Sequence, residues 1–177
     1  TEEKKTVLCV GGSLGAKSIN EAVDKGLDEL ISAGNQVIWQ TGKPYSEKGR
    51  ARGKGIEGVY VSDFITEMEY AYAAADVVVS RSGAMALSEL CVVRKPAILV
   101  PFPFAAEDHQ TANAKNLVSR NAAIMIADNE AADKLITTIN ELMLNSEKQE
   151  EMKGNLSKLA VRDADKIVAE KILRTIS

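Results

Sequence analysis

The chain has 177 residues, 45% hydrophobic and 27% charged, with a formal net charge of -3; that is enough for one well-buried domain and too little for two full ones. The acidic balance and the lack of any long Lys/Arg cluster argue against nucleic acid as a partner. No run of 18 apolar residues and no signal-peptide pattern occurs in the sequence, so the chain is expected neither to span a membrane nor to be exported by its own sequence.

The first predicted element is a strand over 6–10, Thr-Val-Leu-Cys-Val, which runs into Gly11-Gly-Ser-Leu-Gly15 and then a helix over 16–33. A strand, a glycine-rich turn and a helix start form phosphate-binding architecture. Glycine lets the backbone approach an anion, and the free N–H groups and dipole of the helix start favour negative charge. Two better-known motifs fit less well. The dinucleotide fingerprint needs glycine at position 10 to go with Gly12 and Gly15, and Val10 stands there. The P-loop pattern fits Gly11, Lys17 and Ser18, but Ala16 replaces its second glycine. Nor does a clean apolar strand end in a metal-binding Asp, since Asp76 begins its strand and Asp63 follows only a short one. A tight turn with no ligand remains the structural alternative.

Further strands are predicted over 36–40, 58–61, 76–80, 96–100 and 123–127, with helices over 66–74, 84–93 and 111–121 between them. Strands alternating with helices imply a mostly parallel α/β sheet covered on both faces. The segment 43–58, with four glycines and several charges, is expected to be a mobile surface connection. After Ala127 only helices are expected, over 130–144, 147–159 and 163–176, the last with Ile167, Val168, Ile172 and Leu173 at core-like spacing. The two cysteines, Cys9 in a strand and Cys91 on a helical stretch, read as small core residues of a reducing compartment and not as a disulfide or metal pair.

A second strand-turn-helix unit, Asp76-Val-Val-Val-Ser-Arg-Ser-Gly-Ala-Met-Ala-Leu-Ser-Glu89, places Ser82 and Gly83 just before a helix. The amides of Ala84, Met85 and Ala86 then point out of the sheet edge. Two such helix starts at the carboxyl ends of parallel strands suit a diphosphate. Glu89, about one and a half turns into the helix, is placed to accept two hydrogen bonds from vicinal ribose hydroxyls, or is a solvated helix residue. Arg81 has two candidate partners, a phosphate or a neighbouring carboxylate.

Three segments, GGSLGAKSIN, VSDFITEMEYAYAAADVVVSRSGAMALSE and PAILVPFPFAAEDHQTANA, occur in this order and resemble the C-terminal, donor-binding domain of the MurG family of bacterial UDP-N-acetylglucosamine transferases. The resemblance covers nearly the whole chain. It implies a Rossmann-like parallel sheet with helices on both faces, forming the C-terminal half of a GT-B glycosyltransferase. The expected activity is inverting transfer of N-acetylglucosamine from the UDP-sugar to lipid I, giving lipid II for peptidoglycan, on the cytoplasmic face of the inner membrane. The whole chain, 1–177, is then one donor-binding domain with an all-helical part over 128–177. An N-terminal domain that carries the acceptor, the peripheral membrane contact and the general base would precede it, so this chain by itself is expected to transfer no sugar.

The resemblance also implies roles. Ser13 and the nearby amides would contact the donor diphosphate, and Ala84, Met85 and Ala86 the sugar and diphosphate; Gly12, Gly15, Arg81, Ser82 and Gly83 are counted with them as donor-binding. Glu89 would hold the ribose. The Ile65 backbone would read the uracil edge, with Met68 bordering the base, although Phe64 and Met68 also fit as plain core residues. His109 and Gln110 match a pair, commonly Gln-Gln, that contacts the N-acetylglucosamine hydroxyls; His109 departs from that pattern. Asn113 fits either helix capping or the site. No cofactor and no metal are implied, and the sequence holds no His/Cys ligand cluster. Two alternatives share the fold: a UDP-sugar epimerase using Glu107 and Asp108, and a non-enzymatic nucleotide-binding domain.

Overall fold

The computed structural model describes residues 4–105 and 108–160. The predicted helix over 163–176 and Glu107 lie outside them.

Six strands form one parallel sheet: β1 (Thr6–Val10), β2 (Gln36–Gln40), β3 (Val59–Ser62), β4 (Val77–Ser80), β5 (Ala97–Leu99) and β6 (Ile124–Met125). Their spatial order is β3-β2-β1-β4-β5-β6. β1 is central, with Val7 opposite Val37 on one side and Val77 on the other. The inner strands read as continuous apolar runs because helices cover both faces. On one face, Val7, Cys9, Val37, Trp39, Val77 and Val79 pack against α1 (Lys17–Ser32) and α6 (Ala131–Leu144) through Ile19, Val23, Leu27, Leu135 and Ile139. On the other face, Leu8, Val78 and Leu99 meet α3 (Met68–Ala74), α4 (Ala84–Val93), α5 (His109–Val118) and Leu156 of α7 (Ser146–Leu159). Cys9 and Cys91 are both buried and free, in the separate cores of the two faces. Burial pushes the Cys9 thiol up to about 12.

The segment 43–58 departs from expectation. It is not a loose connection: a 3-10 turn, Lys43–Tyr45, leads into α2 (Ser46–Gly53). Gly49 and Gly53 lie one helical turn apart and face β3. A Cβ on Gly49 would come within 2.7 Å of Thr41 Cγ2, and one on Gly53 within 2.7 Å of Val61 Cγ2. The glycines that resemble loop punctuation are thus the price of close helix-sheet contact. Asp24 of α1 anchors the segment by accepting from Tyr45 Oη (2.6 Å) and pairing with Lys48 (2.7 Å) and Arg52 (3.5 Å). Element ends shift more modestly: α5 begins two residues earlier than its pattern, at His109, and β6 shrinks to two residues at the sheet edge.

The strand order reverses between β1 and β4, so the loops leaving their carboxyl ends stand side by side. In open α/β sheets such a reversal opens the crevice where ligands bind.

Candidate functional site

The β1–α1 turn is built from backbone. Gly12 and Gly15 both have φ of +75°, a conformation that costs other residues energy and glycine little. The Gly15 N–H donates to the Gly12 carbonyl at 3.1 Å, and the Lys43 N–H donates to the Ser13 carbonyl at 3.4 Å. Any side chain on Gly15 would sit 2.4 Å from the Thr41 carbonyl oxygen. Asn20 secures the contact from below: its Nδ2 donates to the same Thr41 oxygen (2.8 Å) and its Oδ1 accepts from Trp39 Nε1 (2.9 Å). Ala16 precedes α1 without a side-chain cap, so the first-turn amides are not consumed by one.

The β4–α4 turn is built from side chains. Gly83 also precedes its helix without a side-chain cap, but its φ is -64°. The turn is held by α5. Ser82, fully buried, donates from Oγ to the Gln110 carbonyl (2.8 Å). Gln110 Oε1 accepts the N–H of Ser82 (3.3 Å) and of Phe102 (3.0 Å). Asn113 Nδ2 donates to the Ser82 carbonyl (3.1 Å). Asn113 caps no helix start here; its side chain clips α5 to the β4–α4 turn.

Arg81 meets the carboxylate alternative. Its Nη1 donates to Asp128, which follows β6, and to the carbonyls of Val100 (3.0 Å) and Pro101 (3.2 Å), while its guanidinium lies 5.4 Å from the Phe102 ring centre. Asp128 Oδ1 also accepts from Ser18 Oγ on the first turn of α1. Asp63, the other acid weighed for a P-loop metal site, pairs with Arg50 at 2.6 Å, and Asp76 accepts the Thr6 N–H at the opposite edge of the sheet.

Glu89 projects from α4 toward α3, where its Oε2 accepts from Tyr72 Oη at 3.0 Å. Burial, then the charge and hydrogen bond of Glu89, raise the Tyr72 phenol above its ordinary range.

The family model described as the glycosyltransferase family 28 C-terminal domain matches residues 6–168. The chain belongs to this family. It is 48% identical over 171 residues to the UDP-N-acetylglucosamine--N-acetylmuramyl-(pentapeptide) pyrophosphoryl-undecaprenol N-acetylglucosamine transferase of Parabacteroides distasonis, covering 95% of this chain and 46% of that protein. The protein of the same name from Phocaeicola vulgatus is 44% identical over 174 residues, covering 97% of this chain and 46% of that protein. The crystal structure of Acinetobacter baumannii MurG matches with a TM-score of 0.86 at 29% identity, over 98% of this chain and 51% of that one. The chain thus spans about half the length of the relatives it matches.

Within this family 28 domain, the residues singled out from sequence fall into three groups along the carboxyl edge of the sheet. Gly12, Ser13 and Gly15 form the β1–α1 turn. Arg81, Ser82, Gly83, Ala84, Met85 and Ala86 form the next, joined through Ser82 to Gln110 at the start of α5. His109, exposed, is the first residue of α5. Ile65 stands on the β3–α3 connection and Met68 is the first residue of α3. Ile65 lines a cleft of about 310 Å³ with Ile38, Tyr60, Phe64, Thr66, Glu67, Tyr70 and Ala71. Met68 does not line it and packs half-buried on the α3–α5 core. Phe64, 53% exposed, is not a core residue. Asp128 was not legible as a site neighbour, because it lies 47 residues from Arg81 and 110 from Ser18.

Proposed function

We propose that this chain is the donor-binding half of an inverting GT-B glycosyltransferase that moves N-acetylglucosamine from UDP-N-acetylglucosamine to lipid I, producing lipid II for the bacterial cell wall. The observation that carries the reading is the pair of helix starts without side-chain caps, after Ala16 and Gly83, on the neighbouring strands where the sheet order reverses, in a family 28 chain. The names of the relatives in Parabacteroides and Phocaeicola supply the substrates.

On this reading the donor diphosphate lies between the two turns, and the amides of α1 and of Ala84 to Ala86 face the charge that grows as UDP leaves. Dipoles already oriented stabilise that charge without reorganising, so no metal is assigned to the step. Glu89 takes the ribose hydroxyls, and the Ile65 backbone takes the uracil edge with Met68 beside it. His109 and Gln110 take the sugar. Because two backbone amides already occupy Gln110 Oε1, its Nε2 is the group that remains to donate to a hydroxyl. The acceptor lipid, the general base and the peripheral attachment to the inner membrane belong to the other half of the full-length enzyme. For the epimerase alternative, Asp108 is an exposed residue at the start of α5 with φ of 54° and carries no feature that favours it.

Calorimetric titration of this chain with UDP, with and without EDTA, is the test. Binding that persists in EDTA and exceeds binding of ATP or NAD is expected. Binding abolished by EDTA, or equal affinity for the three nucleotides, overturns the reading.

A further inference from the structure

We infer that Asp128 is a positioning residue for the phosphate side of the donor site: by holding Ser18 and Arg81 together it fixes the α1 start against the β4–α4 turn and presents the free edge of the Arg81 guanidinium to the diphosphate. This rests on the donor-site reading above. One carboxylate oxygen, Asp128 Oδ1, accepts from both Ser18 Oγ and Arg81 Nη1, so a residue after β6 bridges the two turns that no direct bond between them joins among the described residues. Charge-assisted bonds of this kind are short and directional. The Arg81 bonds all use Nη1. Among the described residues no buried side-chain nitrogen or oxygen lacks a partner, so the unbonded Nε and Nη2 of Arg81, in a side chain 16% exposed, are not wholly enclosed. A guanidinium pinned along one edge leaves the other edge as a two-pronged donor, and its planar fork suits the oxygens of a phosphate. Asp128 thereby does for Arg81 what a buried carboxylate does for a liganding histidine: it sets the orientation and touches no ligand itself.

The test compares UDP with uridine on the full 177-residue chain, since uridine carries the base and ribose but no phosphate. For Asp128→Ala and for Ser18→Ala, UDP affinity falls while uridine affinity holds. The expected loss for Asp128→Ala is about tenfold, the scale of one charged hydrogen bond, and less for Ser18→Ala. Asp128→Glu restores part of the loss. Ser18→Ala, which removes a single hydroxyl from a surface helix turn, keeps the test open if Asp128→Ala does not fold. Equal losses for UDP and uridine, or no loss in either variant while the unaltered chain binds UDP, overturn the role of Asp128 alone. An unaltered chain that binds neither compound overturns the donor-site reading and this inference with it.

Discussion

The two turns at the sheet reversal have the same local pattern, strand then glycine then helix, yet they are made in different ways. The β1–α1 turn rests on glycines at positive φ and on the backbone of residues 41–43 pressed against them. The β4–α4 turn has ordinary backbone angles and is held by Gln110, Asn113 and Arg81 reaching to or from other elements. A turn set by its own backbone tolerates almost no added atom but needs few distant partners; a turn set by side chains is the reverse. Rigidity in a phosphate-binding pair can therefore come from sterics on one side and from hydrogen bonds on the other.

The largest effect comes from breaking the backbone-built turn. Gly15→Ala forces a side chain into the left-handed region and onto the Thr41 carbonyl, and should destabilise the fold by about 3 kcal/mol, measured as the drop in urea midpoint at constant slope. Glu89→Ala comes next and acts on binding. UDP affinity should weaken by about 2 kcal/mol, as for a charged hydrogen-bond partner, with a far smaller change in stability, because Tyr72 loses its acceptor but the core is untouched. Titration of Tyr72→Phe beside it separates the roles: affinity within about 0.5 kcal/mol of the unaltered chain places the effect on the carboxylate itself.

Breaking the side-chain-built turn costs less than Gly15→Ala. Gln110→Ala leaves the Ser82 and Phe102 amides without their acceptor and should lower stability by about 1.5 kcal/mol, whereas Gln110→Glu, which keeps an acceptor there, should recover most of that in thermal denaturation. The smallest effect concerns the support beneath the first turn. Burial raises the Asp24 carboxyl, but hydrogen bonds from Lys48 and Tyr45 and the charges of Lys48 and Arg52 outweigh it and leave it below its ordinary value. A carboxyl lowered in the folded state adds stability above its unfolded pKa, and that contribution fades as the pH falls through the folded value. Unfolding followed from pH 6 downward should show an acid loss that Asp24→Asn, already lacking the charge, shows less of.

Much of the fold was legible because the signals were short-range. β1 and β2 form over the same residues as their apolar runs, and α4 over the same residues as its pattern. The 43–58 segment was not, since Gly49 and Gly53 look like loop residues until β3 is known to lie against them. Both glycine-turn units of the candidate site were legible for the same reason. The bonds that hold the second one were not.

The sequence by itself determined the strand-turn-helix units, the alternation that requires a covered parallel sheet, and the motif order that marks a family 28 chain. These follow from residues within a few positions of one another. Only the tertiary structure decided that β1 and β4 are neighbours, so that the helix starts at Lys17 and Ala84, far apart in the chain, open on one crevice. It alone decided that Arg81 meets Asp128 and that Gln110 holds Ser82, because strand order and long-range side-chain bonds depend on how the whole chain packs, and no local propensity encodes them.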